Sequence, residues 1–142
     1  MHNLFLDTNI IVDYLGNRFP FDVPAKLLFE GFSKNKYDGS TSIINLIHAH
    51  YQLRKKLNES QSRIVLRKLS DLLKISDIPG NLSISAFNNS FISDFEDAVQ
   101  YELALLSKAD FFITRNIKDF PTSAPFIICD AETYLTKHSL KE

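Results

Sequence analysis

A chain of 142 residues, 44% hydrophobic and 23% charged, has the size and composition of one ordinary buried core. Its 16 Lys and Arg against 17 Asp and Glu give a formal charge of −1, which excludes holding nucleic acid by overall charge and leaves that role to a local patch or to metal ions on phosphate. The lone Cys129 excludes an internal disulfide, and no run reaches the roughly 18 apolar residues of a membrane span.

Asn3 to Leu6 is short, apolar and bounded by a polar turn, the mark of a buried strand. A helix follows from Asn9, with Ile10, Ile11, Tyr14 and Leu15 on one side and Gly16-Asn17 as its close. Val23 to Lys34 predicts a second helix with Pro24 in its first turn, and Tyr37 to Ser40 a second strand. Helical spacing recurs over Ser42 to Leu57 (Ile43, Leu46, Ile47, Tyr51, Leu53), breaks at Asn58-Glu59 and resumes over Ser62 to Leu73. Ile75 to Ile78 is a third strand, ended by Pro79-Gly80. Helices near Ser83 to Ile92 and Asp94 to Ala109 precede strands at Phe111 to Thr114 and Phe126 to Ile128. Asp130 then caps a last helix over Ala131 to Lys137. Cys129 closes an apolar run and reads as a small buried hydrophobe.

Strands that alternate with helices and are apolar throughout imply a parallel sheet covered on both faces. The expectation is one three-layer α/β/α sandwich with about five strands, forming a single domain over residues 1–142. The N-terminus lacks a basic segment before its apolar stretch, which Asp7 breaks, so a cytoplasmic protein is expected.

Ligands of open parallel sheets bind at the carboxyl ends of strands. Strand one delivers Asp7-Thr8-Asn9 there; strand four delivers Thr114-Arg115-Asn116 and then Asp119. The helix before strand four opens with Ser93-Asp94-Phe95-Glu96-Asp97. Carboxylates gathered at one edge repel one another unless a cation sits between them, and a hard divalent ion is the natural occupant. Each segment also has a structural reading. Asp7 can cap the first helix, Ser93-x-x-Glu96 is a capping box, and Asp94-x-x-Asp97 can act similarly. Structure does not easily account for three carboxylates within four residues, since a helix dipole favours each by only about 0.3–1 kcal/mol.

Phe5-Leu6-Asp7-Thr8-Asn9-Ile10-Ile11-Val12-Asp13 resembles the opening motif of PIN domains, the metal-dependent nuclease fold that includes VapC-type toxins. Ser93 to Ala98 with Ala104, and Ala109 to Phe120, resemble the later motifs of that family, and Ile128 to Leu135 its last strand and helix. The resemblance implies that Asp7 and Asp97 are the principal ligands of Mg²⁺ or Mn²⁺. It places Asn116 where a fourth acid often stands, with Asp119 just beyond, and Asp94 and Glu96 as further metal candidates. Thr8 and Thr114 match hydroxyl residues that line the site, and Thr114 is a candidate phosphate contact. Arg115, Lys118 and Arg54 are candidate RNA-backbone contacts, whereas Lys55 and Lys56 read better as a solvated helix face. Asp13 matches a recurrent acid of the family, with pairing to a basic residue such as Arg54 as its structural alternative.

One position departs from the pattern. Members usually place Glu about a turn into the third helix, where this chain has His48, and no acid lies between Asp38 and Glu59 to replace it. His48 as a ligand would favour Mn²⁺ over Mg²⁺, because imidazole suits later metals. His50, two residues on, cannot share its helix face. The resemblance implies a metal-dependent endoribonuclease, in the role of toxin of a toxin–antitoxin pair, with RNA as substrate, an antitoxin as partner and a homodimer as assembly. The competing reading is a catalytically weakened PIN domain that binds RNA or a protein without cutting.

Overall fold

The computed structural model describes residues 1–139. Five parallel strands lie in the order β3-β2-β1-β4-β5: β1 is Asn3–Leu6, β2 Asp38–Ser42, β3 Lys74–Ser76, β4 Phe111–Ile113 and β5 Ile127–Cys129. The helices are α1 (Thr8–Leu15), α2 (Asp22–Ser33), α3 (Ile43–Leu53), α4 (Glu59–Ser70), α5 (Leu82–Phe87), α6 (Phe95–Leu106) and the short α7 (Ala131–Thr133), which runs into a π turn over Tyr134–His138.

The sheet is buried on both faces at its centre, which is why Leu4 to Leu6 of β1 and Phe111 to Ile113 of β4 are apolar at successive positions rather than at alternate ones. Leu4, Leu6, Phe111 and Ile113 join a core with Ile10, Ile11, Leu28, Phe29 and Tyr134. Phe5 and Phe112 point the other way, into a second core with Leu82, Ala98, Leu103 and Phe126. The Phe5 and Phe112 rings meet edge-on at 5.7 Å. Cys129 is buried, and burial together with the Asp130 charge pushes its thiol up to about 11, so it behaves as the small hydrophobe expected.

Strand β2 corrects the sequence reading. It runs Asp38–Ser42 instead of starting at Tyr37, and Gly39, Ser40, Thr41 and Ser42 are all buried in it despite their polarity. Gly39 has no room for a side chain: a Cβ there would strike the Phe32 ring and come within 2.6 Å of Leu73. The Thr41 hydroxyl donates to the Leu6 carbonyl at 2.9 Å, and the Ser42 side chain accepts the Asn45 N–H as the cap of α3. The Asn58-Glu59 break is real, but Asn58 opens α4 through a reciprocal capping box with Gln61, so the helix starts earlier than Ser62.

The crossover from β1 to β2 leaves on one side and β4 joins on the other, so the loops after β1 and β4 part at a topological switch point. That point is where Asp7 and Thr114 emerge. Among the described residues, no helix is long and apolar enough to cross a membrane.

Candidate active site

Asp7 follows the last residue of β1, and its N–H donates to the Ile113 carbonyl at 3.0 Å, so sheet pairing fixes its backbone. It caps α1 as anticipated: Oδ1 accepts the Thr8 N–H at 2.7 Å. The other oxygen, Oδ2, accepts the Thr114 hydroxyl at 2.8 Å and lies 3.4 Å from the Asn9 amide nitrogen. Burial raises the carboxyl above its ordinary value. The bonds from Thr114 and Thr8 oppose that rise, Glu96 adds to it, and His48 opposes it.

A cleft of about 290 Å³ opens over Asp7 and brings together His48 and Tyr51 from α3, Glu96 and Asp97 from α6, and Asn116. Asp97 reaches it because Asp94, not Ser93, caps α6. The Asp94 carboxylate accepts the Asp97 N–H at 3.0 Å, which turns Asp94 to the helix end. Asp97 is half-buried with its carboxyl pushed up to about 6, first by desolvation and then by the charges of Asp94, Asp119, Asp7 and Glu96. Asp119 thus acts on the site through its field from the 3₁₀ turn Ile117–Asp119, and neither it nor Asp94 lines the cleft.

His48 faces the cleft and lies 3.2 Å from Glu96 through Nδ1. His50 turns away, as its spacing requires, and holds α4 through Ser62 at 2.7 Å and Glu59 at 3.1 Å. Asn116 lines the cleft at the end of a loop anchored twice: its N–H donates to Thr114 Oγ1 at 3.1 Å, and the Arg115 N–H donates to Asn9 Oδ1 at 3.2 Å.

Several expected substrate contacts are engaged elsewhere. The Thr8 hydroxyl donates to Asn45 Oδ1 at 2.8 Å, and the Thr114 hydroxyl to Asp7, so both build the site from beneath. Arg115 closes on Asp13 with two bonds of 2.7 and 3.0 Å and lies 4.0 Å over the Phe21 ring, instead of standing at the rim. Asp13 is 1% exposed and binds Arg18 as well, so its partners are Arg18 and Arg115 and not Arg54. Arg54 instead pairs with Glu59 at 2.8 Å. Lys118 sits exposed on the 3₁₀ turn, outside the cleft lining.

Three residues escaped the sequence reading. Asn9 lies in the opening motif but points back at Asp7, Thr114 and Arg115. Asn45 and Gln100 are fully enclosed and exchange amide bonds of 2.7 and 3.0 Å, with Asn45 also on the Leu6 carbonyl at 3.0 Å. They lock α3 to α6 beneath the cleft. Neither carries a charge and 55 positions separate them, so no sequence signal paired them.

Among the described residues, no three His, Cys, Asp or Glu side chains are gathered tightly enough to hold an ion as they stand. The donor chemistry nevertheless fits a hard cation: the carboxylates of Asp7, Asp97 and Glu96 share a small polar cleft with the amide of Asn116, and desolvation, then the surrounding negative charges, raise the carboxyl of Asp97.

Comparison with known proteins accords with this geometry. A family model described as a PIN domain matches residues 3–118. VapBC2 from Rickettsia felis, solved bound to a DNA fragment from its promoter, is 21% identical with a TM-score of 0.66, over 90% of this chain and 97% of that one. A toxin–antitoxin complex from Klebsiella pneumoniae is 22% identical with a TM-score of 0.64, over 84% and 92%. VapC20 from Mycobacterium tuberculosis, described as a sarcin-ricin loop cleaving toxin, is 14% identical with a TM-score of 0.61, over 87% and 96%. No curated protein sequence matches the chain. The family match spans the strands that carry Asp7 and Thr114 and the helix that carries Asp97, and the chain belongs to the PIN domain family.

Proposed function

We propose that this PIN domain is a metal-dependent endoribonuclease that hydrolyses RNA phosphodiester bonds, the toxin of a toxin–antitoxin pair with an antitoxin protein as partner. The observation that carries the reading is the pair Asp7 and Asp97 in one cleft at the switch point of the sheet. The toxin role draws its support from solved structures that resemble the chain, among them a toxin–antitoxin complex and a sarcin-ricin loop cleaving toxin. A homodimer is the proposed assembly.

A bound Mg²⁺ or Mn²⁺ would supply positive charge for the phosphate and lower the pKa of an attacking water. Asp7 and Asp97 would hold it, with Asn116 and His48 as further donors and Glu96 held near His48. The bonds from Thr114 and Thr8 hold Asp7 in place and oppose the rise that burial imposes on its carboxyl. Asp94 positions Asp97 by capping α6, and Asp119 adds negative field. Lys118 remains a candidate contact to the RNA backbone, and Arg54 and Arg115 can serve only by leaving Glu59 and Asp13.

The test is cleavage of structured RNA with Mn²⁺, beside Asp7→Asn and Asp97→Asn. Each substitution is expected to lower kcat by at least about 100-fold, as loss of a principal ligand should. Full activity in either variant would sink the assignment. His48 as a nitrogen donor predicts tighter binding of Mn²⁺ than of Mg²⁺, a preference that His48→Ala erases in calorimetric titrations.

The second reading, a PIN domain that binds without cutting, draws on His48 and Asn116 in place of acids. RNA binding with no cleavage in either metal would favour it.

A further inference from the structure

Among the described residues, no side chain that lines the cleft is a Lys or an Arg, and the one large aromatic there is Tyr51. Tyr51 is 75% exposed although it borders the same cleft as Asp7 and Asp97. It lies one turn beyond His48 on α3, so the helix presents the imidazole and the phenol on neighbouring positions of one face. Arg18, which reaches the cleft residues Asn9 and Gln52, is closed on Asp13 at 2.9 Å, as Arg115 is, and Arg54 is closed on Glu59. A nucleotide in this cleft therefore gets little help from side-chain cations. Its remaining purchase is the face of an aromatic ring, which every base can stack on.

We propose that Tyr51 is the base-stacking residue through which this cleft grips an unpaired nucleotide; the inference rests on the nuclease reading above. A base inside a duplex already stacks on its neighbours and cannot lie on the ring, whereas a base in a loop or a single strand can. The cleft, at about 290 Å³, has the size of a small-ligand site and suits one nucleotide rather than an element of another protein. Ile43 and Ile47 precede Tyr51 at four-residue spacing and are exposed too, but they do not line the cleft. They make a protein contact the competing occupant of this helix face.

Steady-state cleavage with Mn²⁺ of an unpaired oligoribonucleotide and of its duplex, by the wild type, Tyr51→Ala, Tyr51→Phe and Phe91→Ala, tests the proposal. Stacking predicts cleavage of the unpaired strand over the duplex. It predicts a KM raised about tenfold in Tyr51→Ala with kcat largely kept, since loss of one stack costs about that factor. Tyr51→Phe, which keeps the ring, is expected to match the wild type. Phe91, an exposed aromatic outside the cleft, serves as control and is expected to leave KM unchanged. The chain has no Trp and 5 Tyr, so tyrosine emission gives a second readout. Hexauridylate added with Ca²⁺ should quench part of that emission in the wild type and less in Tyr51→Phe. An unchanged KM and unchanged quenching in Tyr51→Ala, with the wild type cutting, would overturn the stacking role and leave the nuclease intact. Loss of self-association in Tyr51→Ala, seen by sedimentation with KM unchanged, would assign the residue to a protein contact instead. A wild type that neither cuts nor binds the oligonucleotide would overturn the nuclease reading and this inference with it.

Discussion

Two aspartates of the cleft live in different surroundings, and the difference is measurable. Asp7 is buried but takes bonds from Thr8 and Thr114, whereas Asp97 is half-buried among four other carboxylates. The Asp97 carboxyl rises to about 6 in the folded chain, from an ordinary value of 3.8. Folded protein thus binds that proton more tightly than unfolded chain does. The stabilisation is complete below the ordinary value and disappears as pH rises through about 6. In chelator, wild type minus Asp97→Asn should therefore gain thermal stability on acidification from about pH 7.5 to about pH 5. Added divalent ion should suppress the gain by neutralising the same repulsion. A difference in Tm that is flat across that range would disprove this account. Such residue-level crowding was visible in the sequence, because the acids cluster at Ser93 to Asp97. The pairing of Arg115 with Asp13 was not, since it depends on a contact across 102 positions.

Elements were legible where one physical signal dominated. Strand β1, Asn3–Leu6, is bounded in the sequence as in the structure, because an apolar run meets a capping Asp. Strand β2 was misplaced because Gly39, Ser40, Thr41 and Ser42 carry no hydrophobic signal; their burial comes from neighbours and from the bond of Thr41 to the Leu6 carbonyl. Helix α2 holds a related surprise at Gly31. Glycine inside a helix ordinarily costs about 1 kcal/mol relative to Ala, so replacement should help. Here a Cβ would run into the Tyr37 ring, whose hydroxyl is fixed on the Leu28 carbonyl at 2.7 Å. Gly31→Ala is therefore expected to destabilise the protein, by about 1–3 kcal/mol as overpacking does. A higher denaturation midpoint in that variant would refute the role given to Tyr37.

At the scale of the molecule, charge is the governing fact. The chain is nearly neutral, and among the described residues its cleft is lined by acids, amides, a Thr, a His and a Tyr. Nucleic-acid binding that rests on many Lys and Arg contacts weakens steeply with salt, roughly one power of salt concentration per phosphate neutralised. Few such contacts are on offer here, so RNA affinity should fall with a log–log slope shallower than about −2. Fluorescence anisotropy across a salt series checks this, and a slope near −6 would point to a basic surface elsewhere. The parallel three-layer architecture could be read from alternation and apolar strands alone. Which end of the sheet would be acidic followed from the same reading. What lay beyond reach was the enclosed pair Asn45 and Gln100, because amides carry no charge and 55 positions separate them.

Asp7 has one oxygen held by the Thr8 N–H and the other by the Thr114 hydroxyl, on a backbone stitched to Ile113. Asp97 has its backbone N–H on the Asp94 cap, and its side chain stands among like charges. On the reading that these two carboxylates hold an ion, they would act as a vice in which Asp7 is the fixed jaw, and adjustment to the radius of the ion would fall to Asp97 and the first turn of α6.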